Sequence, residues 1–502
     1  MVRDRVARRE RAQHPVVVGL AGRVAAAAAR GVGGFERARA RRLALDPQRG
    51  RAAVALAAAV ESLSVSPIAK VGGVVRLPGS KSLSNRALLI AALCEGETTV
   101  ENLLASDDTE RMLEALAAMG VAVADLGDAA VRVTSSGALK APGADLFLGN
   151  AGTAMRPLAA MLAAVAATDG GDFVLDGTPR MRERPIEDLV DGLKQLGCDV
   201  ECTQNGDFGG CPPVVVKPGA RVDGGVARVS GKTSSQFLSA LLLASPLLAT
   251  TQPLVIEITD ELISQPYVQL TIDLMAKFGV CVEIDGAYRS FTVAPAQKYT
   301  NAGLPDATYF VEGDASSASY FLAAAAMTGG DLTVVGCGSE STQGDVRFAE
   351  VLRDMGAPVT LHPTNITVAA ATPNLKGIDV DCLDIPDAAM TLAAVALVAA
   401  GPTTIRNVGS WRVKETERMK AIVAETTKLG ADVFEGDTHC VITPPAGKPN
   451  ADAEIETYDD HRIAMTFALA ACAGVPVTIL DPKCTSKTFP TYFDELARVT
   501  LA

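Results

Sequence analysis

Aromatic side chains are scarce in this chain. They make up 4% of its 502 residues, with a single tryptophan, against 48% hydrophobic residues overall. The interior must therefore be filled by Ala, Val, Leu and Ile, which suits tightly packed layers of helix and sheet. Long apolar runs are missing as well. The stretches 16–20 and 24–29 are interrupted by Arg23 and Arg30. No segment reaches the run of about 18 apolar residues that a membrane span needs, so no membrane role is expected. Positive charge is not in excess: 46 basic residues face 58 acidic ones. An acidic body with scattered Lys and Arg speaks against a nucleic-acid-binding surface. The ten cysteines show no metal-ligand spacing. Cys198, Cys202 and Cys211 form the one cluster, in a turn-rich stretch without a nearby His, and reduced thiols explain it better than a metal site. At this length the chain exceeds one ordinary core, so two or more domains are expected.

Residues 1–60 stand apart. They hold 13 Arg, no Lys and 4 acids, a net charge of +9, while the remainder holds 33 basic and 54 acidic residues, a net of −21. The segment is rich in Arg and Ala and has no strand pattern. An organelle transit peptide is one reading; it places the protein in a plastid, and without it a cytoplasmic location is expected. The lack of Ser and Thr in the segment departs from the Ser-rich composition of plant transit peptides. A disordered tail, a piece of a fused upstream domain and a misassigned start are the alternatives.

From residue 61 onward, one unit recurs six times. A short β-like run enters a tight polar turn and then a helix of Ala, Leu and Met. The turns begin at Leu77, Leu148, Val229, Val311, Asp384 and Tyr458, spaced by 71, 81, 82, 73 and 74 residues. Such a period signals a repeated supersecondary module. A second helix is expected in five of the units, over 109–119, 184–196, 262–278, 344–355 and 414–429, each stopped by a glycine (Gly120, Gly197, Gly279, Gly356, Gly430). Turn-rich crossovers near 78–80 and Pro305 divide the chain into 61–80 plus 307–502 and an inserted 81–306. The cleft between two such domains is the default active site. Helix starts favour anions through free N–H groups and the dipole, and several of these turns carry Lys, Arg, Ser or Thr.

Four segments carry the candidate chemistry. In LPGSKSLSNR (77–86), Gly79 allows the turn, Lys81 and Ser82 open a helix and Arg86 lies one turn on. This is a phosphate or carboxylate cradle, though without Walker spacing; a capped helix with solvated charges fits equally well. In RVKETER (412–418), Lys414 and Arg418 share one face beside Glu415, as on any charged helix. YDDHR (458–462) crowds two acids, His461 and Arg462 at the mouth of an apolar helix, which is harder to explain structurally. DPKCTSKTFP (481–490), with Lys483 and Lys487, also reads as a surface loop.

Taken in order, these motifs closely resemble the 5-enolpyruvylshikimate-3-phosphate synthases of the enolpyruvyl transferase family. The likeness runs from about residue 61 to the C-terminus, through LGNAGTAMRPL (148–158), RPIEDL (184–189), SSQFLSALL (234–242), ISQPY (263–267), IPDAAMT (385–391), WRVKETERM (411–419) and DDHRIAM (459–465). It implies an α/β fold of two similar domains, each of three βαβαββ units, joined by a two-strand hinge: the inverse α/β barrel of that family. It implies transfer of the enolpyruvyl group of phosphoenolpyruvate to the 5-hydroxyl of shikimate 3-phosphate, with release of phosphate. By matching motifs, Lys81, Ser82, Arg86, Ser234, Ser235 and Gln236 should bind shikimate 3-phosphate, together with Ser264, Tyr267, Asp387, Ser410 and Lys414. Phosphoenolpyruvate should be held by Lys81, Gly152, Arg184, Gln236, Arg418, His461, Arg462 and Lys487. Asp387 is the expected base for the attacking hydroxyl, and Glu415 with Lys81 the pair that handles the proton at the methylene. Ser410 stands where some relatives carry Asn. The likeness also implies sensitivity to glyphosate, and a monomer is expected.

The residue types suit that reaction. Phosphoenolpyruvate brings a phosphate and a carboxylate, which call for planar Arg forks and Lys. Protonating a weakly basic carbon calls for a carboxyl with a raised pKa or a Lys in a dry site. No metal or cofactor is required. The competing readings are a UDP-N-acetylglucosamine enolpyruvyl transferase, for which the Ser-Ser-Gln and Arg86 arrangement is wrong, and a non-catalytic phosphate-binding protein, against which the joint presence of Lys81, Asp387 and Glu415 argues.

Overall fold

The computed structural model describes residues 61–501 apart from 170, 172, 220 and 221. The readings made for residues 1–60 lie outside the described residues. Each expected turn leads into a helix: Lys81–Ala92, Gly152–Asp169, Ser235–Leu248, Ala315–Thr328, a 3₁₀ turn Ala388–Thr391 running on into Leu392–Ala396, and His461–Ala468. These helices lie in the interior. Every residue of Ala315–Thr328 but the last is buried, which is what a helix apolar all round does.

The second helices are amphipathic and nearer the surface. Asp107–Ala118 opens with a capping box between Ser106 and Thr109, satisfying two orphan backbone donors. All five glycines expected to stop these helices adopt left-handed φ, from +83° at Gly279 to +109° at Gly356. That conformation is open to a residue without Cβ and strained for others. The fifth of these helices starts at Arg418, not at 414. Lys414 is extended instead, because the Arg180 guanidinium takes the carbonyls of Arg412 and Lys414 at 3.0–3.4 Å.

Each unit builds one small sheet, so the described residues form six open sheets of three to five strands. The unit 225–293 shows the pattern. Gly225–Val229 pairs parallel with Leu254–Ile258, as a βαβ crossover requires. Ser290–Val293 then runs antiparallel to it, followed by Glu283–Ile284 at the edge. Three strands are placed far from their sequence neighbours. Thr308–Phe310 lies parallel to Glu95–Glu101, Lys70–Arg76 parallel to Asp331–Val335, and Ser62–Val65 antiparallel to Val477–Leu480.

Two hydrophobic cores result. One is built from residues between Leu83 and Val311, the other from Ile68–Leu77 together with residues between Ala315 and Val499. The chain passes between them at 77–81 and again at 311–315. The return lies downstream of Pro305 because Thr308–Phe310 is drawn into the first core's sheet. The two passes bond to each other, Ser80 N–H to the Glu312 carbonyl (2.8 Å) and Asp314 N–H to the Pro78 carbonyl (2.9 Å). Gly79 and Gly313 face each other there. A Cβ at 79 would overlap the Asn102 carbonyl, and one at 313 would lie 2.9 Å from Leu77 Cβ.

Candidate active site

A cleft of about 830 Å³, counting its open mouth, lies between the two cores. The first core supplies the starts of three helices. Lys81, Ser82 and Arg86 come from Lys81–Ala92, and Gly152 opens Gly152–Asp169. Ser234, Ser235 and Gln236 come from the start of Ser235–Leu248, where the Ser234 hydroxyl accepts the Gln236 N–H at 3.2 Å. Arg184, Ser264 and Tyr267 complete that wall. Ser264 sits at φ +53°, a strained conformation for a residue with a Cβ and one that clusters at functional sites. The second core supplies Asp387, Ser410, Lys414 and Glu415. The one tryptophan fixes this wall: Trp411, fully buried, donates its indole N–H to the Pro386 carbonyl at 2.6 Å.

Four expected residues do not line the cleft but stand behind it. Arg418 and Arg462 grip the two oxygens of Asp387 at 2.9 and 3.0 Å. Lys487 reaches Asp108 at 2.7 Å and the Asn150 carbonyl at 3.1 Å. His461 is fully buried with neither ring nitrogen hydrogen-bonded, its Nδ1 3.4 Å from Asp460. Conversely, Asp108, Arg156, Thr153 and Thr233 line the cleft without having been expected there. Asp108 is the shared counter-ion of Lys81 (3.5 Å) and Lys487. Its place at the start of a helix suggests a dipole role and conceals this one. Arg156 lies inside the 148–158 motif, which was the available signal.

Asp387 occupies the capping position of a 3₁₀ turn yet makes no capping bond; its carboxylate turns to the two arginines instead. Burial alone would raise its pKa, but Arg462, Lys414 and Arg418 outweigh burial and hold it well below the usual carboxylate range. Glu415, 3.5 Å from Lys81 and 2.8 Å from Arg418, is likewise held low against burial. The raised carboxyl that methylene protonation could use is therefore not found at Glu415 in this charge state: three cations, Arg418, Lys81 and Arg184, surround it. Burial and the nearby Lys81 push His461 well down, so it is neutral at physiological pH.

Three guanidiniums contrast with these. Arg86 bonds the Thr271 hydroxyl and the Ser82 carbonyl, Arg184 bonds the carbonyl and side-chain oxygens of Asn150, and Arg156 bonds the Pro185 carbonyl. All are buried, and among the described residues none has a carboxylate within 4.0 Å. Burial lowers all three pKa values, that of Arg86 to about 10. Buried charge without a partner is costly, so the cleft offers a strong field to a polyanion. Among the described residues no group of three His, Cys, Asp or Glu is arranged to hold a metal, and no helix is long and apolar enough to cross a membrane.

Comparisons with known proteins point to one family. The family model described as EPSP synthase (3-phosphoshikimate 1-carboxyvinyltransferase) matches residues 65–496. The chloroplastic 3-phosphoshikimate 1-carboxyvinyltransferase of Arabidopsis thaliana is 53% identical over 469 residues, covering 91% of this chain and 88% of its own. The 3-phosphoshikimate 1-carboxyvinyltransferase of Burkholderia cenocepacia is 52% identical over 447 residues, covering 88% of this chain and 100% of its own. Among solved structures, EPSP synthase from Acinetobacter baumannii superposes with a TM-score of 0.71 at 26% identity, covering 88% of this chain and 99% of that one. The enolpyruvyl transferase NikO from Streptomyces tendae, at 17% identity, shares the fold with a TM-score of 0.67.

Proposed function

The chain belongs to the EPSP synthase family, the 3-phosphoshikimate 1-carboxyvinyltransferases, and from that premise we propose how its cleft performs the reaction. The enzyme transfers the enolpyruvyl group of phosphoenolpyruvate to the 5-hydroxyl of shikimate 3-phosphate and releases phosphate. The body between the two passes, 81–311, and the body of 61–77 with 315–501 act as the two domains that close on the substrates, with the paired segments at 77–81 and 311–315 as hinge.

The observation that carries this reading is the set of buried guanidiniums without acid partners. Arg86, beside Ser82, Ser234, Ser235 and Gln236, takes the phosphate of shikimate 3-phosphate, and Tyr267, Ser264, Ser410 and Lys414 place its ring. Arg184 and Lys81, near the backbone of Gly152, take the phosphate of phosphoenolpyruvate. Arg418, Arg462 and Lys487 supply positive charge behind it, and the neutral His461 fills space between them.

Asp387 is ionised and so is ready to accept the hydroxyl proton as the oxygen adds to the central carbon of phosphoenolpyruvate. The methylene carbon takes a proton at the same time. Two anionic substrates beside Lys81 and Arg184 weaken the pull of those cations on Glu415, so its affinity for a proton rises as the site fills. Glu415, with Lys81 3.5 Å away, then delivers that proton. In the second half the same pair removes a proton from the new methyl group as the C–O bond to phosphate breaks. Every group named comes from one chain, so a monomer suffices.

Steady-state phosphate release tests the assignment. Turnover is expected with phosphoenolpyruvate and shikimate 3-phosphate, and none with a UDP-sugar acceptor; the reverse preference would overturn it. Residues 1–60 lie outside this catalytic body, since 88% of the chain matches the whole Burkholderia relative. We assign them a plastid-directing role, in line with the chloroplastic plant relatives. A fusion of residues 1–60 to a fluorescent protein should accumulate in plastids, and a diffuse cytoplasmic signal would refute the assignment.

A further inference from the structure

Three consecutive residues that play no part in the mechanism above, Gln343, Gly344 and Asp345, touch three functional regions at once. The Gln343 amide clamps the hinge: its oxygen accepts the Ala315 N–H at 3.2 Å, and its nitrogen donates to the Gly313 carbonyl at 2.8 Å and to Glu312 at 3.2 Å. Gly344 lies against the neighbouring domain. A Cβ there would come within 2.6 Å of Pro266 Cβ and 2.8 Å of the Asp384 carbonyl. Asp345 is 2% exposed. Its Oδ2 accepts the Tyr267 hydroxyl across the domain boundary at 3.0 Å, and also the Ser316 hydroxyl. Its Oδ1 accepts the N–H of Ala388 at 3.4 Å, and Ala388 follows Asp387 directly.

A buried carboxylate is expensive. This one has no cation within ion-pair distance among the described residues and is satisfied by neutral donors alone. Arg462, whose charge acts on it, spends its Nη2 on Asp387. Stability alone gives no reason to put an acid here, since a neutral acceptor could bond the same donors. The position does connect Tyr267, which lines the cleft beside Arg86, to the turn that aims Asp387.

We propose that Asp345 is a positioning residue which couples occupation of the shikimate 3-phosphate site to the orientation of Asp387, through the Tyr267 hydroxyl on one side and the Ala388 N–H on the other. The proposal rests on the substrate assignment made above. When shikimate 3-phosphate holds the helix Gln265–Lys277 closed, Tyr267 reaches Asp345, and the carboxylate then holds the 3₁₀ turn Ala388–Thr391 in register. Without that bond the N-terminal end of the turn loses its link to the first domain and keeps only contacts within the second, from Trp411 to Pro386 and from Ser319 to Thr391.

The groups facing Asp345 are Tyr267 from the first domain, Ser316 from Ala315–Thr328, Asp387 from its own turn and Arg462 from His461–Ala468. Burial first, then repulsion from Asp387, raise its pKa to about 6 against the pull of Arg462 and the two hydroxyl bonds. The ionised form accepts three donors together, and protonation removes an acceptor. The coupling should therefore weaken as pH falls through about 6.

The test is a kinetic cycle on the full chain with Asp345→Asn, Tyr267→Phe and the double variant, melting temperature being recorded for each. Asp345→Asn should raise KM for shikimate 3-phosphate and lower kcat, each about tenfold, with KM for phosphoenolpyruvate changed less than about threefold. The double variant should be no worse than the poorer single one, a deviation from additivity of about fivefold or more. The acid limb of kcat/KM for shikimate 3-phosphate near pH 6 should flatten in Asp345→Asn relative to wild type. The phosphate of the substrate titrates identically in both, so the difference isolates Asp345. Additive single effects, wild-type kinetics in Asp345→Asn, or an unchanged acid limb would each overturn the coupling. If Asp345→Asn does not fold, Tyr267→Phe and Ser316→Ala keep the carboxylate and still decide: both should lower kcat as well as raise KM, and a pure KM effect would refute the proposal. Arg86→Ala is the control for the underlying assignment. Unchanged KM for shikimate 3-phosphate in Arg86→Ala means the assignment fails. A normal loss there with an additive cycle means that only the role of Asp345 fails.

Discussion

Gly152→Ala adds one methyl group at a crowded point of the proposed phosphoenolpyruvate site. Gly152 is the first residue of Gly152–Asp169, and its backbone is not left-handed, so alanine fits the helix. The cost lies in front of it. A Cβ at 152 would stand 2.6 Å from Arg156 Nη1 and 2.7 Å from Arg184 Nη2. Ordinary contact begins near 3.4 Å, so each guanidinium end must withdraw by about 0.7–0.8 Å. Both are ends of flexible side chains and can move, but both are also buried cations without acid partners that line the cleft. Weakening one charge-assisted hydrogen bond costs about 1.5–3 kcal/mol if it is lost outright. A shift of this size should forfeit part of that for phosphoenolpyruvate, and KM should rise about tenfold or less. Glyphosate is slightly longer than phosphoenolpyruvate, so it meets the methyl directly as well as the displaced arginines. Its inhibition constant should rise about 100-fold or more, a discrimination by steric conflict. The assay is phosphate release at saturating shikimate 3-phosphate, with glyphosate competing against phosphoenolpyruvate. A wild-type enzyme indifferent to millimolar glyphosate, or equal loss of inhibitor and substrate in the variant, would refute this reasoning.

Arg86→Ala should raise KM mainly for shikimate 3-phosphate and Arg184→Ala mainly for phosphoenolpyruvate, each by about 2–4 kcal/mol in kcat/KM; loss of the same substrate in both variants contradicts the division of the cleft. Asp387→Asn and Glu415→Gln should lower kcat about 10²–10⁴-fold while calorimetry shows shikimate 3-phosphate still bound, and wild-type kcat in either would remove that residue from the chemistry. Because the folded pKa of Asp387 is depressed, its ion pairs contribute stability that is complete above the unfolded value of about 4 and is lost as pH falls through the lower folded value. The melting-temperature gap between wild type and Asp387→Asn should therefore be widest near neutrality and close at acid pH, and a gap independent of pH would show that the carboxylate charge is not what stabilises. A chain of residues 61–502 should keep wild-type kcat and melting temperature, and loss of either would place residues 1–60 inside the folded unit.

What the sequence disclosed and what it concealed separate along a physical line. Features set within a few residues were legible. The six turns announce themselves because Gly, Pro, Ser and Asp stand just ahead of Ala-rich helices, and all five glycine stops took the left-handed backbone that their position requires. Features that depend on partners far along the chain were not. Nothing in the composition of Thr308–Phe310 or Lys70–Arg76 states that each will join a sheet more than two hundred residues away in sequence. Alternation along a strand shows that one face is buried, not against what. The charged motifs divide in the same way. That Lys81, Glu415 and Arg418 belong to a site could be read from their motifs. The ionisation of Glu415 could not, since beyond the adjacent Arg418 it depends on Lys81 and Arg184 arriving from two other units. A raised carboxyl or a Lys in a dry site was expected because the reaction needs a proton donor, and the folded charge balance sets Glu415 low. The two views meet once substrate charge is counted. The cleft gathers more cations than its own acids neutralise, and the missing negative charge is what the phosphates and carboxylates of the two substrates supply. On that argument Glu415 acquires its proton as a consequence of substrate binding, and acid catalysis is withheld until both anions are in place.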